Sequence, residues 1–123
     1  MQFIVEHAHT DDTCPANSME GVKMMGELVL GKNHADSCGV KLLNDYHVRG
    51  QHRLLLLIEA GALENAEDYA KPFKMVGKTD VLQLDRCTAV MQEVVARLTA
   101  QGNEDLLSSA YAARSTGCGS RSG

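Results

Sequence analysis

Apolar and polar positions along this chain fall into blocks with distinct periods. Gln2-Phe3-Ile4-Val5-Glu6-His7 mixes β-branched and aromatic residues and predicts a first strand. The stretch from His9 to Asn17 has no period and reads as a loop. Ser18 then has the chemistry of a helix N-cap. Beyond it Met19, Val22, Met25 and Val29 recur at three- and four-residue steps, with Glu20, Lys23 and Glu27 opposite, which predicts an amphipathic helix ending between Gly31 and Asn33. Gly21 and Gly26 inside that helix each cost about 1 kcal/mol relative to alanine.

Residues 40–48 predict a second strand and residues 52–59 the strongest strand of the chain. Arg49-Gly50-Gln51 joins them as a hairpin turn. The run Leu54-Leu55-Leu56-Leu57 suggests a strand buried on both faces. Leu63, Ala66, Tyr69 and Ala70 form a second helical stripe, which Pro72 is expected to limit because it lacks an amide donor. Gly77 offers a stop, 81–84 a short fourth strand, and 88–100 a third helix with Met91, Val94, Val95 and Leu98 on one side. The order is β-α-β-β-α-β, an α+β ferredoxin-like arrangement. It implies a four-stranded antiparallel sheet of order 4-1-3-2 with an extra C-terminal helix. The expected division is a ferredoxin-like domain over 1–86, a helix over 87–102 serving packing or dimerisation, and a short helix with a flexible tail over 103–123.

At 123 residues, 44% hydrophobic and 23% charged, the chain matches the composition of an ordinary folded protein. Its longest apolar run, Leu54 to Ile58, is far below the roughly 18 residues of a membrane span, and no membrane partner is expected. The N-terminus shows no basic-then-apolar leader, so a cytoplasmic location is expected. A net charge of −4, no tryptophan and two phenylalanines argue against a nucleic-acid partner. Cys14, Cys38, Cys87 and Cys118 are widely spaced, with no C-x-x-C pair, which fits unpaired thiols.

The element order, the leucine-rich third strand and the strand at the extreme N-terminus resemble the ferredoxin-like, dimeric α/β-barrel superfamily. The chain is similar to the superfamily's small uncharacterised bacterial members over residues 1 to about 86, and its nearest approach to a signature is Val5-Glu6-His7-x-His9 followed by Cys14-Pro15. The resemblance implies a homodimer paired sheet to sheet and a pocket between sheet and helices. It spans cofactor-free oxygenases, isomerases, haem-handling enzymes and small metal-binding proteins, so the fold alone selects no activity.

All five histidines fall within the first 52 residues. With the first and third strands antiparallel neighbours, His7 and His9 at the end of one lie beside His52 at the start of the other. Cys14 leaves the same end, and the hairpin brings Tyr46 and His47 to that rim. Alternation puts Phe3, Val5, His7 and His9 on one face, with His52 expected to face His7. Of the hairpin pair, Tyr46 is expected in the pocket and His47 at the rim. His34 and Cys38 form a weaker second group at the opposite end. Imidazole and thiolate suit Zn²⁺, and mixed histidine sites also suit Ni²⁺ or Cu²⁺. Asp11 and Asp12 are candidates to fix a ring tautomer.

The leading expectation is a small protein that binds zinc, nickel or copper through His7, His9, Cys14 and His52. A second is a cofactor-free oxygenase- or isomerase-type enzyme acting on a small-molecule ligand. There His52 or His7 would serve as general base and Tyr46 would donate a hydrogen bond to the developing oxyanion. A third is a non-catalytic homodimeric interaction module.

Overall fold

Four strands make one antiparallel sheet: β1 (Gln2–Ala8), β2 (Val40–His47), β3 (Arg53–Ala60) and β4 (Lys78–Leu84), in the order β2-β3-β1-β4. This is the expected 4-1-3-2 order read in reverse. The helices α1 (Met19–Val29), α2 (Asn33–Ser37) and α3 (Leu63–Lys74) complete the α+β ferredoxin-like fold, with the extra helix α4 (Cys87–Ala100) after it. The computed structural model describes residues 1–102. The chain divides into two compact units, Met1–Leu84 and Asp85–Gly123. Cys118 and the helix and tail expected over 103–123 lie outside the described residues. No helix among those described is long and apolar enough to cross a membrane.

Alternation along the strands decides which side chains form the core. Phe3, Val5 and His7 on β1 lie opposite Ile58, Leu56 and Leu54 on β3. Phe3, Val5, His7, Leu56 and Ile58 are fully or almost fully buried and pack in one cluster with Leu28, Ala66, Tyr69, Ala70 and Phe73 of the helices, His7 touching it through Phe73. Each large apolar side chain so buried contributes about 1.5–3 kcal/mol relative to exposure. The other face carries Ile4, Leu55 and Leu57, which are half-buried, and Tyr46 and Leu82, which are exposed. The leucine run is therefore split: Leu56 is in the core and its neighbours are only partly covered. Arg53 and Glu6 pair at 3.8 Å on the half-covered face.

Local chemistry departs from the periodic expectation at several points. Ser18 does cap α1, its hydroxyl accepting from the Gly21 amide at 3.0 Å. The buried stripe of α1, however, runs through Met24, Met25, Leu28 and Val29, while Met19 and Val22 are exposed. The rotation follows from Gly21: a β-carbon there would strike the Pro15 carbonyl, so the helix meets the 3-10 turn Pro15–Asn17 along its glycine. In α3 the helix continues past Pro72 to Lys74. Phe73, fully buried, anchors the last turn, where one missing hydrogen bond matters little. The short α2 had no periodic signal, and β4 begins three residues earlier than its apolar run.

Gly77, before β4, permits a close approach. A β-carbon there would meet the Ala8 carbonyl oxygen and lie 2.8 Å from His7 Cε1. Gly26 faces open space. Gly77→Ala is therefore expected to lower stability by about 1–3 kcal/mol. Gly26→Ala should leave stability unchanged or raise it by up to ~1 kcal/mol. Urea denaturation of the two variants checks the contrast.

Candidate metal centre

The β1–β3 ladder runs from Gln2↔Glu59 to Ala8↔Arg53. One further bond, from the His9 amide to the His52 carbonyl at 3.0 Å, extends the pairing past both strand ends. That bond sets His9 beside His52, with ring centroids 5.0 Å apart. His52 therefore faces His9 rather than His7, whose cross-strand partner is Leu54. Cys14 arrives from the loop after β1, held by the Pro15–Asn17 turn that packs on Gly21. One potential ligand atom from each of His9, Cys14 and His52 lies within 4.8 Å of the others. His9 and Cys14 are half-buried and His52 is exposed.

The remaining expected residues fall around this trio. His7 is not among the converging donors. Its ring is fully buried, with Nδ1 2.9 Å from Thr79 Oγ1 and Nε2 3.1 Å from His9 Nδ1. Phe73 lies against it, with ring centroids 5.8 Å apart. Asp11 takes the tautomer-fixing place foreseen for it, its carboxylate 2.5 Å from His52 Nε2.

Tyr46 does not look into the pocket. It sits opposite Leu55, on the far face of the sheet, while His47 sits opposite Leu54 on the face of His7. The cause is a bulge between Leu42 and Asn44. It reverses the alternation of β2, so the even positions that point inward before it give way to odd ones after it. His52 and Tyr46 consequently do not share a site. His34 and Cys38 are at the other end of the sheet, as expected. His34 Nε2 is 2.9 Å from the Tyr69 carbonyl and Cys38 Sγ is 4.0 Å from His34 Nδ1.

Thr79 is the participant that sequence reading missed. It stands opposite His7 on β4, and the signal was positional: extending the fourth strand back to Lys78 brings a hydroxyl into the histidine row. Burial, aided by neighbouring histidines, favours the neutral form of His7 and His9. Burial, followed by the nearby His9, pushes the His7 pKa below its ordinary 6.5. His9 is pushed down by burial, then by His52 and His47. Neutral imidazoles are what metal ligation requires. Among the described residues, Cys14, Cys38 and Cys87 are unpaired thiols.

No family model matches the chain, and no curated protein matches it. Function is therefore argued from the site.

The depressed imidazoles give folding a pH dependence of defined sign. Below pH 6.5 the unfolded chain takes up protons that native His7 and His9 resist. The stability of metal-free protein is thus expected to be complete above the ordinary histidine pKa. It should fall as the pH drops through 6.5 and level off once the lowered native values are passed. Urea midpoints between about pH 7.5 and pH 5.5 measure the slope, and His7→Gln is expected to remove part of it.

Proposed function

We propose that this protein binds a single transition-metal ion through His9, Cys14 and His52. The observation that carries the reading is the convergence of two imidazoles and a thiol from three separate segments to within 4.8 Å. Zinc holds such ligands at about 2.0–2.3 Å, which requires donor–donor separations of about 3.3–3.8 Å. The trio therefore has to close by at most about 1–1.5 Å on binding. Cys14, the ligand carried on a loop away from the strand ends, is the one best placed to move.

The hydrogen bonds already present select which nitrogens ligate. Asp11 accepts from His52 Nε2, leaving Nδ1 for the metal; His7 engages His9 Nδ1, leaving Nε2. A carboxylate behind a ligating histidine fixes its ring and raises its basicity. Two imidazoles and one thiolate suit zinc, copper or nickel, and three protein ligands leave one position for water or an exogenous ligand. Storage, sensing and catalysis are each compatible with an open position, and a cytoplasmic setting would keep Cys14 reduced. The half-covered sheet face with Ile4, Leu55, Leu57 and Leu82 would serve a homodimer. The enzyme reading that pairs His52 or His7 with Tyr46 has no such support, because Tyr46 lies on the opposite face from both histidines.

Untagged protein is expected to bind one equivalent of Zn²⁺ by elemental analysis. Titration with Co²⁺ should develop a thiolate-to-metal charge-transfer band in the near ultraviolet. Cys14→Ser should abolish that band with the fold intact, and Asp11→Asn should weaken Zn²⁺ binding roughly 10- to 100-fold. No stoichiometric metal, or a band indifferent to Cys14→Ser, overturns the proposal.

A further inference from the structure

A chain of hydrogen bonds runs inward from His9. His9 Nδ1 lies 3.1 Å from His7 Nε2, and His7 Nδ1 lies 2.9 Å from Thr79 Oγ1. His7 is wholly buried and Thr79 nearly so. Among the described residues the Thr79 hydroxyl has no second hydrogen-bond partner. Phe73 lies against the His7 ring, and a β-carbon at Gly77 would lie 2.8 Å from its Cε1, so the ring is closely packed.

A neutral imidazole carries one proton on two nitrogens, so this chain has two self-consistent settings. In the first, the Thr79 hydroxyl donates to His7 Nδ1, His7 Nε2–H donates to His9 Nδ1, and His9 keeps its own proton on Nε2. In the second, His9 Nδ1–H donates to His7 Nε2 and His7 Nδ1–H donates to Thr79 Oγ1. His9 Nε2 then offers a bare lone pair. Only the second setting lets His9 ligate a metal through Nε2. Only the first gives the buried Thr79 hydroxyl proton an acceptor, and a buried donor without one is penalised.

We propose that Thr79–His7–His9 is a two-setting relay that rests with His9 Nε2 protonated and reverses when a metal ion takes that nitrogen. The proposal rests on the metal-binding reading above. His7 and Thr79 are then positioning residues that act on the metal through His9. In the reversal His9 gives its Nε2 proton to solvent and takes the His7 Nε2 proton on Nδ1, while His7 regains one proton from solvent on Nδ1 and threonine keeps its own and rotates its hydroxyl. The relay itself releases no net proton. Occupancy at the rim of the sheet is thereby registered on β4, and part of the intrinsic affinity is spent on the reversal.

Long-range proton–nitrogen NMR of the histidine rings tests this, with Zn²⁺ as a diamagnetic probe. Metal-free protein is expected to show His7 and His9 protonated on Nε2. One equivalent of Zn²⁺ should move both protons to Nδ1, exchanging the downfield position of the unprotonated nitrogen within the His7 ring. Thr79→Val keeps the β-branched shape but leaves His7 Nδ1 without a partner in either setting, as an orphaned N–H in the second, and should bind Zn²⁺ roughly threefold or more weakly. Thr79→Ser, which keeps the hydroxyl and loses the methyl, should bind Zn²⁺ and reverse its His7 tautomer as the native protein does. A role confined to packing predicts the opposite ranking, with binding weakened by Thr79→Ser and spared by Thr79→Val. Unchanged His7 tautomers while Zn²⁺ shifts His9, His52 and Cys14 would overturn the relay and leave the metal site standing. If Zn²⁺ shifts none of the three, the metal site and the reversal both fall, and the resting tautomers still report whether the first setting is occupied.

Discussion

The site depends on a single piece of strand pairing: β1 and β3 run antiparallel in a register that continues one hydrogen bond beyond both strands, from the His9 amide to the His52 carbonyl. Side chains alternate with a period of two, so a slip of one residue would turn His52 away from His9 and expose Phe3 and Val5. The apolar cluster of Phe3, Val5, Leu56 and Ile58 opposes such a slip, because it would turn the pair on one strand away from the core. Core packing and imidazole placement are thus one constraint, and the chemistry at the rim needs no separate device to hold it.

Much of the architecture was legible because it follows from alternation and order. The strand order, the capping of α1 by Ser18 and the convergence of His9, His52 and Cys14 all come from residue spacing plus the antiparallel pairing that a β-α-β-β-α-β order implies. What was hidden has local physical causes. The bulge at 42–44 adds a residue that no hydropathy pattern announces, and it exchanged the roles expected for Tyr46 and His47. The close approach of Pro15 to Gly21 rotated the buried face of α1. Phe73, by filling the core, carried α3 past a proline that would end an isolated helix.

His7 illustrates how a buried polar group can be tolerated in an apolar layer. Desolvation keeps it uncharged, and both nitrogens find partners, so the usual penalty for burying a polar side chain is offset by two hydrogen bonds. The imidazole adds a directional link between the sheet interior and its rim, which a leucine lacks. Asp11 plays the complementary part from outside, on an exposed loop, where its contact with His52 is open to solvent.

The β2 bulge also bears on how this rim tolerates change in chain length. Deleting one residue at Leu43 would restore uninterrupted alternation through the hairpin. Asn44 to His47 would keep their partners, Tyr46 opposite Leu55 on the far face and His47 opposite Leu54, so His47 would still add to the field at His9. A single-codon deletion at the bulge would thus straighten the strand and spare the neighbourhood of the histidines.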